Sequence, residues 1–398
     1  MLDLYSVKSQ VDGMVAHRAS VPGSAAARLS VALEQLQRWD ENDNGESWRD
    51  LADAVVASDR GWLLPGIAGS LMTAVKPQIA PPQLSVAATD GSQIFPDRHE
   101  ISPCYLINIG QVLLHYGTRE RPLLSSTPRL FYKESDLYQV YGDRRVAVNR
   151  DLVGIRRDAL ELADLNSIAA SSQDQGPLQT LAMCDGSLIA WDLEGRPRGF
   201  RQAYLNQMMV CLDNLRQRRI PLVGYISRPG SNEVINALRL GMCPTPAVRC
   251  ECADGEVAPD HEPCTRIEGL SDAHLMERFL EPGERSAVFA SRSPILTEYG
   301  DHGVHFFYIN IGPEVIRVEI PRWVAEDESS LELVHSGVWD QVGKGAGYPV
   351  CLTEAHERAV VRGRDREAFF RFLKQSLVKS GLEVSLSRKG KSKLRPRV

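Results

Sequence analysis

Ser85-Val86-Ala87-Ala88-Thr89-Asp90-Gly91-Ser92 is an apolar run that stops at a carboxylate followed by glycine, and Thr180-Leu181-Ala182-Met183-Cys184-Asp185-Gly186-Ser187 repeats the pattern. Each reads as a buried strand that delivers an acid to its exposed end, where glycine lets the backbone turn sharply. Taken singly, an Asp-Gly after a strand is also an ordinary turn. Taken together, the two acids can share a metal ion, because oxygen ligands suit magnesium or manganese and metals held by carboxylates cut phosphodiesters. A third element far downstream favours chemistry over turns: Gly347-Tyr348-Pro349, followed by Ala355-His356.

Around the two motifs, strands and helices alternate, the pattern of an α/β protein with a mixed or largely parallel sheet. Strands are expected at 84–88, 101–109 and 112–116, separated by polar or glycine turns. A helix follows over 148–170, with Leu152, Ile155, Leu160, Leu162 and Leu165 near helical spacing and Glu161 in the same segment. Beyond the second motif the reading gives a helix at 204–218, a strand at Leu222–Ile226 ending in Ser227-Arg228-Pro229-Gly230, and a helix at 232–240. Strands resume at 287–291, 305–311 and 315–320, and helices at 349–361 and 365–379 close the core. Residues 1 to about 75 read as a helical arm, with Leu29, Val31, Leu33, Leu36 and Trp39 broken at Asn42-Asp43-Asn44-Gly45 and resumed at Trp48-Leu51-Val55. Prolines at 77, 81 and 82 then mark a linker. The expected division is an N-terminal helical region and linker over 1–80, a core over 84–380 with an insertion at about 243–283, and a basic tail over 381–398.

With 398 residues the chain exceeds the usual single-domain size, and its apolar content is enough for a substantial core. No run of eighteen apolar residues and no secretory pattern at the N-terminus point to a cytoplasmic protein without a membrane span. The net charge of −5 carries no global nucleic-acid signature, so local patches must hold any phosphate backbone. One candidate is the tail, where Arg388, Lys389, Lys391, Lys393, Arg395 and Arg397 occur without an acid; a solubilising end is the other reading. Of eight cysteines, Cys104, Cys184, Cys211 and Cys351 sit in apolar settings and read as small core residues. Cys243, Cys250, Cys252 and Cys264 cluster with His261 in a polar, proline-containing stretch. Cys250, Cys252, His261 and Cys264 form a candidate structural zinc set, although the spacing matches no standard finger, and a cysteine-rich insertion without metal is the alternative.

Nucleotide hydrolysis by the chain itself finds no support, because Gly343-Lys344-Gly345-Ala346-Gly347 lacks the glycine spacing and lysine-Ser/Thr ending of a phosphate loop. No Gly-x-Ser-x-Gly elbow is present either, which leaves the carboxylates. Here the sequence resembles the NurA nucleases. The resemblance is carried by Asp90-Gly91-Ser92, Leu160-Glu161-Leu162-Ala163, Asp185-Gly186-Ser187-Leu188 and Gly347-Tyr348-Pro349 with Ala355-His356. Further elements of it are Leu222–Ile226 leading to Ser227-Arg228, Phe307-Tyr308-Ile309, Arg317-Val318-Glu319-Ile320-Pro321 and Trp323.

The resemblance covers about residues 84–380 and implies an RNase H or Piwi type of fold, a mixed sheet flanked by helices. It also implies that Asp90, Glu161, Asp185 and His356 are ligands to manganese or magnesium, with Asp158 and Asp164 close enough to compete with Glu161. Tyr348 would position substrate, and His356 would ligate or move a proton. Arg228 stands near a position where the family often has lysine, and would contact a phosphate. The activity implied is metal-dependent 5′-to-3′ exonuclease hydrolysis of DNA, with internal cleavage of single strands as a further activity. The partners implied are a second copy, forming a homodimer with a central DNA channel, and a hexameric HerA-type ATPase, in end resection at double-strand breaks. Two rivals stay open on the residues alone: an adaptor that binds DNA or the ATPase without cutting, and an RNA-processing nuclease.

Overall fold

The computed structural model describes residues 2–20, 25–43, 62–67, 69–95, 104–141, 144–174, 179–242 and 265–381. Eleven strands occur among them: β1 (Gly66–Ile67), β2 (Leu84–Ile94), β3 (Tyr105–Tyr116), β4 (Leu123–Phe131), β5 (Tyr138–Tyr141), β6 (Arg144–Ala147), β7 (Gln179–Asp185), β8 (Leu222–Ile226), β9 (Phe289–Ala290), β10 (Val304–Asn310) and β11 (Val315–Pro321). The longer helices are α1 (Leu4–Ser20), α2 (Ala25–Asp43), α3 (Arg150–Asp174), α4 (Arg198–Gln217), α5 (Glu233–Gly241), α6 (Glu328–Lys344), α7 (Val350–Ala359) and α8 (Gly363–Lys379).

Nine strands form one mixed sheet in the order β1-β9-β10-β11-β8-β7-β2-β3-β4, and β5 pairs with β6 apart from it. The centre, β2-β7-β8, is parallel, and every other pairing in the sheet is antiparallel. Parallel strands need covered faces on both sides, and the near-continuous burial of β2 up to Thr89 reflects that. Alternate residues go to opposite faces. Val86, Ala88, Leu181 and Met183 pack against Val334, Val338, Leu352 and Ala355 of α6 and α7. Ala87 and Ala182 pack against Leu165, Ile168, Leu212 and Leu215 of α3 and α4 on the other face. The mixed sheet between helical layers is the expected α/β class, a mixed sheet flanked by helices. At the far end of the sheet, α2 contributes Ala32 and Leu36 to a third cluster with α5 and β9–β11.

Several sequence expectations need correction. Gly91 is not a turn: β2 runs through Asp90, Gly91 and Ser92 to Ile94, paired with β3 throughout. The strands expected at 101–109 and 112–116 are one, because Gly110 and Gln111 continue the ladder opposite Asp90 and Thr89. Residues 62–67 and 69–75 are not helical; Gly66–Ile67 joins β9 at the sheet edge. Elements without a forecast include β4 and α6. β4 holds Pro128, which a sheet tolerates at an edge strand, and α6 holds Gly337 and β-branched residues that weaken its helical signal. The zinc candidates Cys250, Cys252, His261 and Cys264, the stretch at Trp48-Leu51-Val55 and the basic tail all lie outside the described residues.

Candidate active site

Asp90 and Asp185 stand side by side where β7 stops and β2 continues. The parallel ladder pairs Thr89 with Cys184, so the next residue on each strand is an acid at the same level. Both acids follow the alternation that faces α7. Ligands in open α/β sheets bind at the carboxyl ends of parallel strands, and this is such an end. The two Asp-Gly pairs differ in their local physics. Gly186 sits at φ 104°, a left-handed turn that ends β7. Gly91 is extended and is there for room: a Cβ on it would run into the Glu161 carboxylate and lie 2.7 Å from Arg157 Cγ.

From the α7 side come an imidazole and a phenol. His356 Nδ1 lies 2.8 Å from Asp90 Oδ2, while the Gly91 amide donates to Asp90 Oδ1 at 2.8 Å. Tyr348, two residues before α7, hydrogen-bonds through its hydroxyl to the Asp185 carboxylate. Its ring meets Tyr225 edge-on at 5.1 Å. Tyr348 stands in the turn that leads into α7 and His356 in the helix itself, so one continuous segment brings a group to each acid.

From the other face comes Glu161. Its backbone carbonyl accepts from Thr89 Oγ1 at 3.0 Å, which ties α3 to β2 one residue before Asp90. The side chain is 14% exposed, and its buried Oε1 lies 3.0 Å from Arg157 Nε, an ion pair without hydrogen-bond alignment. Burial pushes the Glu161 carboxyl up to about 8; Arg157 opposes the shift, and Asp158, Asp90 and Asp185 add to it. Burial also raises the Asp185 carboxyl, with Asp90 adding, while the Tyr348 hydrogen bond and His356 pull it down. The Tyr348 hydroxyl is held well above its usual range by burial and by Asp185.

Five sequence candidates therefore converge: Asp90, Glu161, Asp185, Tyr348 and His356. Asp90, Glu161 and Asp185 line one cavity of about 440 Å³, with Arg157 and Asp158 on the same wall. Asp158 thus shares the cavity with Glu161, whereas Asp164 is turned to β4 and bound to Arg129 at 2.7 Å. Arg228 does not join them. Its side chain is 92% exposed, and its amide donates to Glu314 at 3.0 Å. Sequence reading passed over Arg157, although its place four residues before Glu161 is the spacing of a helical ion pair. It named Glu319 within the Arg317–Pro321 motif without giving it a role; its Oε2 accepts from Ser187 Oγ and the Leu188 amide at 2.8 Å each and so fixes the chain just past Asp185.

Among the described residues, no group of three His, Cys, Asp or Glu side chains is already arranged to hold a metal ion. The donor chemistry nevertheless fits a hard divalent cation: carboxylate oxygens of Asp90, Asp185 and Glu161 line one cavity, and burial first, with the neighbouring acids adding, raises the Glu161 carboxyl, a cost that a bound cation would relieve.

A family model described as the NurA domain matches residues 84–361, well over half of the chain. The chain belongs to the NurA domain family. Membership bears out the resemblance read from the motifs and makes the chain a nuclease. The NurA nuclease from Sulfolobus solfataricus is similar in fold at 14% identity, with a TM-score of 0.45 over 85% of this chain and 95% of that one. A NurA structure bound to dAMP and manganese aligns at 12% identity and TM-score 0.37, over 90% of this chain and 99% of the other. A NurA structure with manganese aligns at 11% and 0.33, over 83% and 96%. No curated protein matches. No described helix is long and apolar enough to cross a membrane.

Proposed function

We propose that this NurA-family chain is a manganese-dependent DNA nuclease that degrades 5′ ends in the 5′-to-3′ direction, with Asp90, Asp185 and Glu161 as the metal-holding acids and His356 beside them. The observation that supports it is the meeting of these acids from two strands and a helix that are far apart in sequence. When bound, the metal supplies Lewis-acid stabilisation of the charge that develops on the phosphate oxygens. The chain's own residues do the positioning. Asp90 is held at both oxygens, by the Gly91 amide and by His356, and each oxygen keeps a lone pair for a cation. Tyr348 holds Asp185 in the same way. With Nδ1 committed to Asp90, His356 has Nε2 free to face substrate at the exposed rim.

The polarity, the homodimer and the hexameric HerA-type ATPase rest on the family resemblance, as does a role in end resection. Gly343-Lys344-Gly345-Ala346-Gly347 is consistent with that division of labour. It closes α6 instead of opening a helix, so it does not present the amide groups that cradle a nucleotide phosphate. The test is end-labelled linear DNA with manganese. The 5′ label should leave first as a short product and the 3′ label should mark progressively shorter strands, with Asp90→Ala slower by at least about 100-fold. Binding without cleavage by either protein would instead identify an adaptor, and preferential loss of a matched RNA would identify an RNA nuclease.

A further inference from the structure

Arg157 is the one arginine or lysine among the described residues that line the acid cavity, against five carboxylates: Asp90, Asp158, Glu161, Asp185 and Asp192. Its surroundings fix where the guanidinium stands. The stem crosses Gly91, the residue after Asp90, with Cγ and Cδ 2.7 and 2.9 Å from where a Cβ on that glycine would be. Nη1 donates to Gln93 Oε1 at 3.2 Å, and Nη2 and Nε donate to Asp158 Oδ1 at 2.9 and 3.2 Å. Gln93 on β2 and Asp158 on α3 thus hold one cation beside the acids.

The contact with Glu161 is of another kind. Nε lies 3.0 Å from Glu161 Oε1, but its N–H is directed to Asp158, and Oε1 is buried with no hydrogen bond. What reaches Glu161 is charge alone. A hydrogen bond can be replaced only by a donor aimed along the same line, whereas a bare charge can be replaced by any cation at a similar distance. Burial opposes the positive charge of Arg157, and Glu161, Asp158 and Asp90, in that order, outweigh it. The guanidinium and a divalent ion therefore answer the same need, since either neutralises carboxylates that burial disfavours in their charged form.

We propose that Arg157 is the resident counter-ion of the acid cluster, a positioning residue that holds Glu161 against β2 until a divalent metal takes over its charge, and that thereby sets how tightly the metal binds. The inference rests on the metal-holding role of Asp90, Asp185 and Glu161. Removing a purely structural arginine would loosen the metal site. Removing a counter-ion tightens it, because two like charges no longer share the cavity. The same loss favours a proton on Glu161, but a divalent ion carries twice the charge and gains about twice as much.

The test is manganese binding to the full chain by calorimetry, with melting temperature as a second readout, in wild type, Arg157→Met and Arg157→Lys. Arg157→Met should bind manganese at least about tenfold more tightly than wild type, and Arg157→Lys, which keeps the charge, should stay within about threefold of it. The methionine variant should melt below wild type in EDTA, and saturating manganese should close the gap, because a ligand that binds the native state stabilises it. A methionine variant that folds only with manganese present supports the proposal for the same reason. Unchanged or weaker binding in Arg157→Met, or failure to fold both with and without manganese, overturns it and makes the guanidinium structural. Wild type that binds no manganese removes the metal reading itself, so the wild-type titration tells the two failures apart.

Discussion

Tyr348 shows how a single hydrogen bond sets the chemistry at the residue scale. Its hydroxyl holds the Asp185 carboxylate, and Tyr225 fixes its ring from the side. Tyr348→Phe keeps the ring and removes one bond to a charged acceptor, a contribution of about 1.5–3 kcal/mol. Nuclease activity should therefore fall by roughly 10- to 100-fold, with the melting temperature lowered by several degrees but the protein folded at assay temperature. An unchanged rate would show that Asp185 does not depend on the phenol. Away from the site, His335 is buried, and its Nε2 lies 2.8 Å from the Gly283 carbonyl. Burial pushes the imidazole down to about 4, against about 6.5 in the unfolded chain. The native state thus excludes a proton that the unfolded state binds. The stability from neutral His335 is whole above pH 6.5 and is lost as pH falls toward 4, about 3 kcal/mol in all. Denaturant melts of wild type and His335→Gln across that interval should converge at the acid end; parallel curves would contradict the assignment. Residues were the most legible scale. Asp90, Asp185, Tyr348 and His356 stood out because acid-glycine and tyrosine-proline pairs break the apolar pattern. Glu161 was harder to separate from Asp158 and Asp164, since three acids at three-residue spacing lie along one side of a helix, and the sequence does not say where that helix starts against the sheet.

At the scale of elements, the site depends on α7 lying close against β2 and β3. Gly110 makes that approach possible. A Cβ there would run into the Ala355 carbonyl and stand 2.6 Å from the Ala359 amide nitrogen, both backbone atoms of α7. Asn108 and Ser92 fasten the end of the same helix by donating to the Ala359 carbonyl at 2.8 and 2.6 Å. Gly110→Ala should cost about 1–3 kcal/mol by overpacking and, by lifting the helix that carries His356, should lower activity more than the loss of folded protein explains. Melting temperature and rate measured on the same preparation decide this, and a variant with normal rate would show that the helix adjusts without moving His356. The sequence reading took Gly110 and Gly91 as punctuation between strands. Their role is steric, and a close approach between elements distant in the chain leaves no local signature. The same limit hid β4: its Pro128 argues against a central strand, but only the assembled sheet shows that it lies on the edge.

In the whole molecule, the parallel centre of the sheet delivers two acids to one end, α3 brings a third from one face, and α7 with the turn before it brings imidazole and phenol from the other. The α/β class was readable from the alternation of apolar runs with amphipathic segments. The far end of the sheet was not, because β1 pairs with β9 across more than two hundred residues. The central claim is that acids from separate elements act together on a divalent metal. Isothermal titration calorimetry of manganese into the full chain tests this most directly. The account predicts a saturable isotherm for wild type that weakens at least tenfold in Asp90→Ala and in Asp185→Ala, with far-ultraviolet circular dichroism unchanged. Isotherms identical in all three proteins would contradict it.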